Sequence, residues 1–416
     1  MKGKLLYLLL IVFTFLYIYY PPLFFTNTLH ILGGLSWIII IINRKGCSVF
    51  FSRGGYLKEI FFTWFITSYL YLGLLINGRS DLLVSYVFII IPLEILPICF
   101  VIVYLIKKLN GKKTFSALLI HVGFVQGVIS VLAFLIPEIQ SWVINRMLSY
   151  GYDNVIIGLS QHRMFGLSYT FPYSMPIVQG VIACLSIYMG INKNAKYFIF
   201  TPFIIFSGII NARISIVIIA IGIVLILLAS LKLKLNKKYK IIIAFFAFMI
   251  LLNPISNIIQ KNSSDTFNWL EDGLDQLINL YHGDISGAYT SYITDKSNYN
   301  LPDGLKLFFG TSERVIRGSS TYQSDVGYIN DIWLGGVFYA LTLYSYLLIK
   351  LNKIRVSLNR RQIDGTLVSL FLVFVIIFSN FKGTIFGVNE FINLFYLIYI
   401  YSICYKDSPS TNLTKI

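Results

Sequence analysis

Guanidinium groups are the side chains of this sequence best suited to chemistry. Arg163 stands in Gln-His-Arg-Met-Phe-Gly with His162 beside it, and Arg213 in Asn-Ala-Arg-Ile-Ser, opening an aliphatic run. Arg314 and Arg317 are three apart, on one face wherever that stretch is helical. A guanidinium fork binds phosphate oxygens bidentately and keeps its charge where water is scarce, so these arginines suit a phosphorylated substrate or an anionic leaving group. His162, Asp325 and Glu390 are the candidates for a proton acceptor. Tyr322 and Tyr328 flank Asp325 with rings suited to sugar stacking.

Each has an ordinary reading as well. Arg213 can snorkel to headgroups, Arg163 can pair with Asp153, and Arg314 and Arg317 can neutralise the ten acids of residues 256–331. Glu94, between Pro92 and Pro97, suits either a hydrogen bond to a neighbouring helix or a catalytic role. Other constellations are missing. No Gly-rich phosphate loop, no His-Glu-x-x-His and no cysteine pair at metal spacing occurs, so neither ATP-driven work nor zinc hydrolysis is expected.

The elements that must hold these residues follow from composition. Hydrophobic residues make up 56% of the 416 and charged residues 12%, about half the share of a soluble domain. That excludes a soluble enzyme, a disordered chain and a coiled coil. It points to an all-α, polytopic integral membrane protein. A spanning helix needs about 20 apolar residues. Twelve runs qualify: 5–20, 29–42, 60–76, 83–106, 114–136, 171–191, 197–210, 214–231, 241–255, 332–349, 366–381 and 384–404. The first resembles a signal peptide but meets Pro21-Pro22 without a small-residue cleavage site, so it reads as an uncleaved anchor.

With the N-terminus inside, 24 of the 34 basic residues fall on inner segments, and the positive-inside rule then puts both termini in the cytoplasm. The net charge of +16 therefore reports topology rather than nucleic acid binding. Two long segments, 137–170 and 256–331, fall outside, and long loops are usually functional. The second carries Phe267, Leu270, Leu274, Leu277, Ile278 and Tyr281 at helical spacing, an amphipathic helix expected on the membrane surface. None of the four cysteines lies in an outer segment. The chain reads as one polytopic membrane domain.

Three segments resemble a known family. They are Arg163–Ser168 followed by Phe-Pro-Tyr, the arginine-led helix Asn-Ala-Arg-Ile-Ser-Ile-Val-Ile-Ile-Ala, and Ser-Asp-Val-Gly-Tyr-Ile-Asn-Asp-Ile-Trp-Leu-Gly-Gly at 324–336. With twelve spans and two large outer segments, they resemble the Wzy-type O-antigen and capsule polymerases of bacteria. The paired Arg-x10-Gly motifs of some members are absent: Ser174 and Tyr328 stand eleven residues after Arg163 and Arg317. The resemblance implies glycosyl transfer at the outer face of the bacterial inner membrane. The growing glycan would pass from undecaprenyl pyrophosphate to a sugar hydroxyl of another lipid-linked repeat unit. It implies no cofactor, and a flippase and a chain-length regulator as partners. Arg163, Arg213, Asp325 and Gly327 match the family by position; Arg314 and Arg317 match as basic residues of the second loop. An O-antigen ligase acting on lipid A core is the closest alternative, and a flippase for the same lipid-linked units the next.

Overall fold

A computed structural model describes residues 2–23, 27–44, 55–78, 86–109, 115–149, 163, 166–169, 173–230, 257, 259–282, 295–313, 324–360 and 364–404. Helix is the only regular structure among them. In hydrocarbon a backbone must satisfy its own N–H and C=O groups, and an apolar chain does so as helix. Among the described residues five helices are long and apolar enough to cross a bilayer: Tyr56–Ile76, Phe88–Lys108, Phe115–Leu135, Ser174–Asn192 and Gly327–Asn359. Six shorter apolar helices accompany them: Gly3–Tyr19, Thr28–Ile42, Ala195–Ile209, Ile214–Ala229, Gly365–Asn380 and Glu390–Cys404. The run at 241–255 lies outside the described residues, as do Leu23's neighbours 24–26 and the chain end after 404.

Sequence signals set several boundaries. Pro137, Pro176 and Pro202 each stand in a first helical turn, where the missing N–H costs nothing. Asp364 caps the Gly365–Asn380 helix by accepting from Leu367 N at 2.9 Å. Asn389 does the same for the last helix through Ile392 N, so that helix starts at Glu390 and not at 384. The long segment 137–170 holds a helix, Pro137–Leu148, whose Arg146 donates to the carbonyls of Pro22 and Leu23.

The Glu390–Cys404 helix lies at the centre, with nearly every residue buried, against the Leu96–Lys108 and Ser174–Asn192 helices. Tyr56–Ile76 runs at the periphery and turns Phe61, Trp64, Phe65, Leu72 and Leu75 outward, an apolar surface that lipid rather than water tolerates. Small residues set the close approaches. Gly123 and Gly127, four apart, face Ile182 and the Phe203 backbone, where a Cβ would stand 2.7 Å from either neighbour.

The Gly327–Asn359 helix is broken at Gly336, where φ is 76° and ψ −178°. Only glycine adopts that geometry without strain. Three carbonyls freed around the break find other donors: Trp333 O takes Thr311 N at 2.7 Å, Leu334 O takes Ser312 N at 3.0 Å, and Gly335 O takes the Tyr69 hydroxyl at 2.8 Å. The Thr311–Ser312 stretch is thereby tied into the helix it precedes.

One pair departs from the sequence reading. Glu59 and Lys350 stand just outside the apolar runs 60–76 and 332–349, yet both are buried within helices, with Lys350 Nζ 2.5 Å from Glu59 Oε1. The ammonium lies over the rings of Tyr399, Tyr346 and Tyr396, at 3.9, 4.5 and 5.1 Å from their centroids.

Candidate anion-binding site

Ser174–Asn192 runs one way through the bundle, Thr201–Ile209 returns, and Ile214–Ser230 runs the first way again. The residues preceding the first and third of these helices, Tyr173 and Arg213, therefore share one end of the molecule. Lys382 reaches the same place from the turn that follows Gly365–Asn380. With Arg163, Ala212, Ile214 and Trp269 they line one small pocket. Among its described lining residues are three cations, two aromatic rings and no carboxylate.

Trp269 organises the cations. The Arg213 guanidinium carbon stands 4.7 Å from its ring centroid and that of Arg163 5.4 Å. Each cation–π contact of this kind is worth about 0.5–2 kcal/mol, depending on how dry it is. Arg213 Nη2 also donates to the Trp269 carbonyl. Gly273, one turn on, lets the helix backbone lie against the Arg213 side chain, in space a Cβ would fill. This helix, Ser264–Tyr281, is the amphipathic one read from the sequence. Phe267 and Leu270 dock on Phe134, Phe206, Ile210 and Ile259, while Glu271, Asp272 and Asp275 stay exposed. Phe267 and Leu270 of its apolar stripe thus grip the end of the bundle, and Ile278, further along, is turned outward.

Tyr173 fixes the opposite wall. Its hydroxyl donates to the Gly383 carbonyl at 2.9 Å and to that of Ser379, which anchors the Lys382 turn. Gly383 packs against the Tyr173 ring, and Gly327 packs against Gly383 and Asn380 from the other side. The Ser-Asp-Val-Gly segment is thereby docked beside the turn that carries Lys382. Asp325 in it is half-buried, one residue before the cap of its helix.

The remaining sequence candidates fall elsewhere. Glu390 is fully buried and accepts hydrogen bonds from Ser168 Oγ, at 2.5 Å, and Ser174 Oγ. It grips the segment between Arg163 and Tyr173 and does not line the pocket. Tyr328 donates to the Ile377 carbonyl at 2.9 Å and packs on Tyr344 and Phe381. His162, Arg314, Arg317 and Tyr322 lie outside the described residues. Sequence reasoning passed over Lys382 and Trp269. Lys382 carried a usable signal, since it is basic on a segment where the positive-inside rule disfavours such charge. Trp269 carried none beyond its place in an amphipathic stripe.

A pocket of three cations around an indole suits a multiply charged anion with an apolar or sugar-like part. Phosphate oxygens meet the guanidinium forks, and no acid on the described wall repels them. No family model, no curated protein and no solved structure matches the chain.

Proposed function

We propose that this protein is an integral membrane glycosyltransferase that polymerises lipid-linked oligosaccharide repeat units. The carrier is undecaprenyl pyrophosphate, and the reaction takes place at the outer face of the bacterial inner membrane. The reading includes twelve spans with both termini cytoplasmic, which puts the arginine pocket on the outer side. The observation that carries it is the convergence of Arg163, Arg213 and Lys382 on one indole-floored pocket, from three separate stretches of chain.

In this reaction an acceptor hydroxyl attacks the anomeric carbon, the bond to pyrophosphate breaks, and the carrier leaves with the electron pair. Negative charge grows on the departing pyrophosphate, so cations fixed at that position favour the transition state over the bound substrate. Arg213 is held by both ring and carbonyl of Trp269 before substrate arrives, so little reorganisation is left for the reaction. Asp325 is assigned to proton acceptance from the hydroxyl, with His162 as the alternative. Glu390 is a positioning residue that holds the segment bearing Tyr173. Two lipid-linked substrates in one cleft gain further rate from proximity.

The test is surface polysaccharide from a deletion strain, run on a gel beside complemented strains. The deletion is expected to leave lipid capped by one repeat unit, with the ladder restored by wild type. Arg213→Ala should lower polymerisation by about 10²–10³-fold, the usual cost of one preorganised charge-stabilising donor. Long glycan left on its carrier would replace this reading with the ligase. Unit-length material trapped on the inner leaflet would replace it with the flippase.

A further inference from the structure

A second polar cluster lies away from the arginine pocket, where the Thr28–Ile42 helix meets a π-turn at Ile91–Ile95. His30, Gly33 and Trp37 share one face of the first helix by their spacing of three and four. His30 Nδ1 is 2.6 Å from Glu94 Oε1, and the Tyr86 hydroxyl is 2.9 Å from His30 Nε2. Gly33 makes the room: a Cβ there would stand 2.9 Å from Glu94 Cγ. Pro97 has no N–H to give the carbonyl of Leu93, four residues earlier, and the Trp37 indole N–H takes that role at 2.8 Å. The Tyr56 hydroxyl donates to the Pro92 carbonyl at 3.1 Å. Such π-turns are often found at functional sites.

A plain interhelical clasp would explain the Trp37 and Tyr56 bonds. It does not explain Glu94. Its second oxygen, Oε2, is buried, and no donor among the described residues reaches it. A buried acceptor left unmade costs free energy that an arriving donor recovers. The cluster is also open, since the His30 side chain is 42% exposed and Tyr86 is exposed too. No third histidine, cysteine or carboxylate among the described residues joins the pair to complete a metal site. A hydroxyl, which both donates and accepts, fits the unpaired carboxylate oxygen and the Tyr86 phenol beside it. Aromatic rings border the cluster. Tyr86 meets the His30 ring edge to face, with centroids 6.3 Å apart, and Tyr169 stacks on Tyr20 with centroids 4.9 Å apart.

We propose that Tyr86, His30 and Glu94 form a carbohydrate subsite distinct from the arginine pocket. One sugar of the glycan donates a hydroxyl to Glu94 Oε2 as that carboxylate turns to the surface, bonds the Tyr86 hydroxyl with another, and lays its apolar face on the Tyr86 ring, while His30 holds both partners in place. This rests on the polymerase reading for the source of the glycan. Tyr169 and Arg163 are six residues apart in the chain, so at most about 20 Å separates the tyrosine rail from the pocket. An oligosaccharide of a few sugars covers that span. A subsite there would hold the glycan some distance from the reacting carbon and bear on how long a chain is retained.

The test uses the full chain in lipid nanodiscs and a phosphate-free oligosaccharide prepared by partial acid hydrolysis of the host's own surface polysaccharide. Binding is followed by saturation-transfer NMR and titration. Wild type is expected to bind it. Tyr86→Leu and His30→Gln should each weaken binding at least tenfold, while Arg213→Ala should leave it within threefold. Tyr86 lies at the exposed rim, so Tyr86→Leu decides the matter even if His30→Gln fails to fold. Wild-type affinity in Tyr86→Leu, or no binding by wild type, overturns the subsite. If saccharide binds as expected but the deletion strain still makes a full polysaccharide ladder, the polymerase reading falls and the subsite stands. If polymerisation needs Arg213 but the saccharide does not bind, only the subsite falls.

Discussion

Replacing Lys350 with methionine tests whether the buried Glu59–Lys350 pair holds the bundle together. Both side chains are almost entirely buried, with an N–O separation of 2.5 Å. The Tyr346 hydroxyl donates to the second Glu59 oxygen and lies 2.8 Å from the Tyr396 hydroxyl. The ammonium touches three tyrosine rings besides. Methionine preserves the length and apolar volume of the stem, so the substitution removes chiefly charge. The carboxylate then remains in a dry place with only neutral donors, and removing one partner of such a pair costs about 3–5 kcal/mol. Replacing both partners with neutral groups of similar shape removes the orphan, and that exchange is often neutral or stabilising. Glu59→Gln with Lys350→Met is therefore expected within about 1.5 kcal/mol of wild type, given how such double replacements behave. The coupling between the two sites would be at least about 1.5 kcal/mol even if Glu59→Gln alone cost nothing, within the range found for residues in contact. Reversible unfolding in mixed micelles, followed by tryptophan emission, gives all four corners of the cycle. A single variant within about 1 kcal/mol of wild type, or a double variant no better than the single, would refute the reasoning that the charges are buried and paired.

Three further outcomes follow from the geometry. Gly336→Ala puts a Cβ against the Phe308 carbonyl at a positive φ and should destabilise by about 1–3 kcal/mol from backbone strain alone, read by the same unfolding assay. Trp269→Ala removes the ring shared by Arg163 and Arg213, and should weaken inorganic pyrophosphate binding about tenfold in a titration, roughly one lost cation–π contact per arginine; Trp269→Phe should recover part of it. Glu390→Leu leaves the Ser168 and Ser174 hydroxyls without their buried acceptor and should cost about 2–3 kcal/mol, with Glu390→Gln milder, measured as a shift in the unfolding midpoint.

Why some of this was legible in the sequence and some was not comes down to which degree of freedom each feature depends on. Apolar runs fix where helices lie, because helix is the only way an apolar chain satisfies its backbone in lipid. Prolines and Asp364 or Asn389 fix where several begin. The break at Gly336 was less visible, since a Gly-Gly pair in an apolar run reads equally as a tight helix contact. The Glu59–Lys350 pair was invisible. Charge counting assigns each residue to a segment, whereas burial depends on the rotation of three helices about their own axes.

The arginine pocket depends on both kinds of information. Arg163 and Tyr173 precede one helix and Arg213 precedes the second one after it, so chain direction alone brings them to the same end. Direction says nothing of lateral distance. That is set by Gly180, where a Cβ would meet Ile218 at 3.0 Å and the Ser215 carbonyl at 3.4 Å, so the two helices touch almost backbone to backbone. The close approach holds the two helix starts side by side, and the Trp269 helix closes over Arg213 through Gly273. Small residues, which carry no chemistry, thus decide whether the charged ones can act together. A larger side chain at Gly180 should separate the arginines without touching either, and so lower pyrophosphate binding while leaving each guanidinium in place.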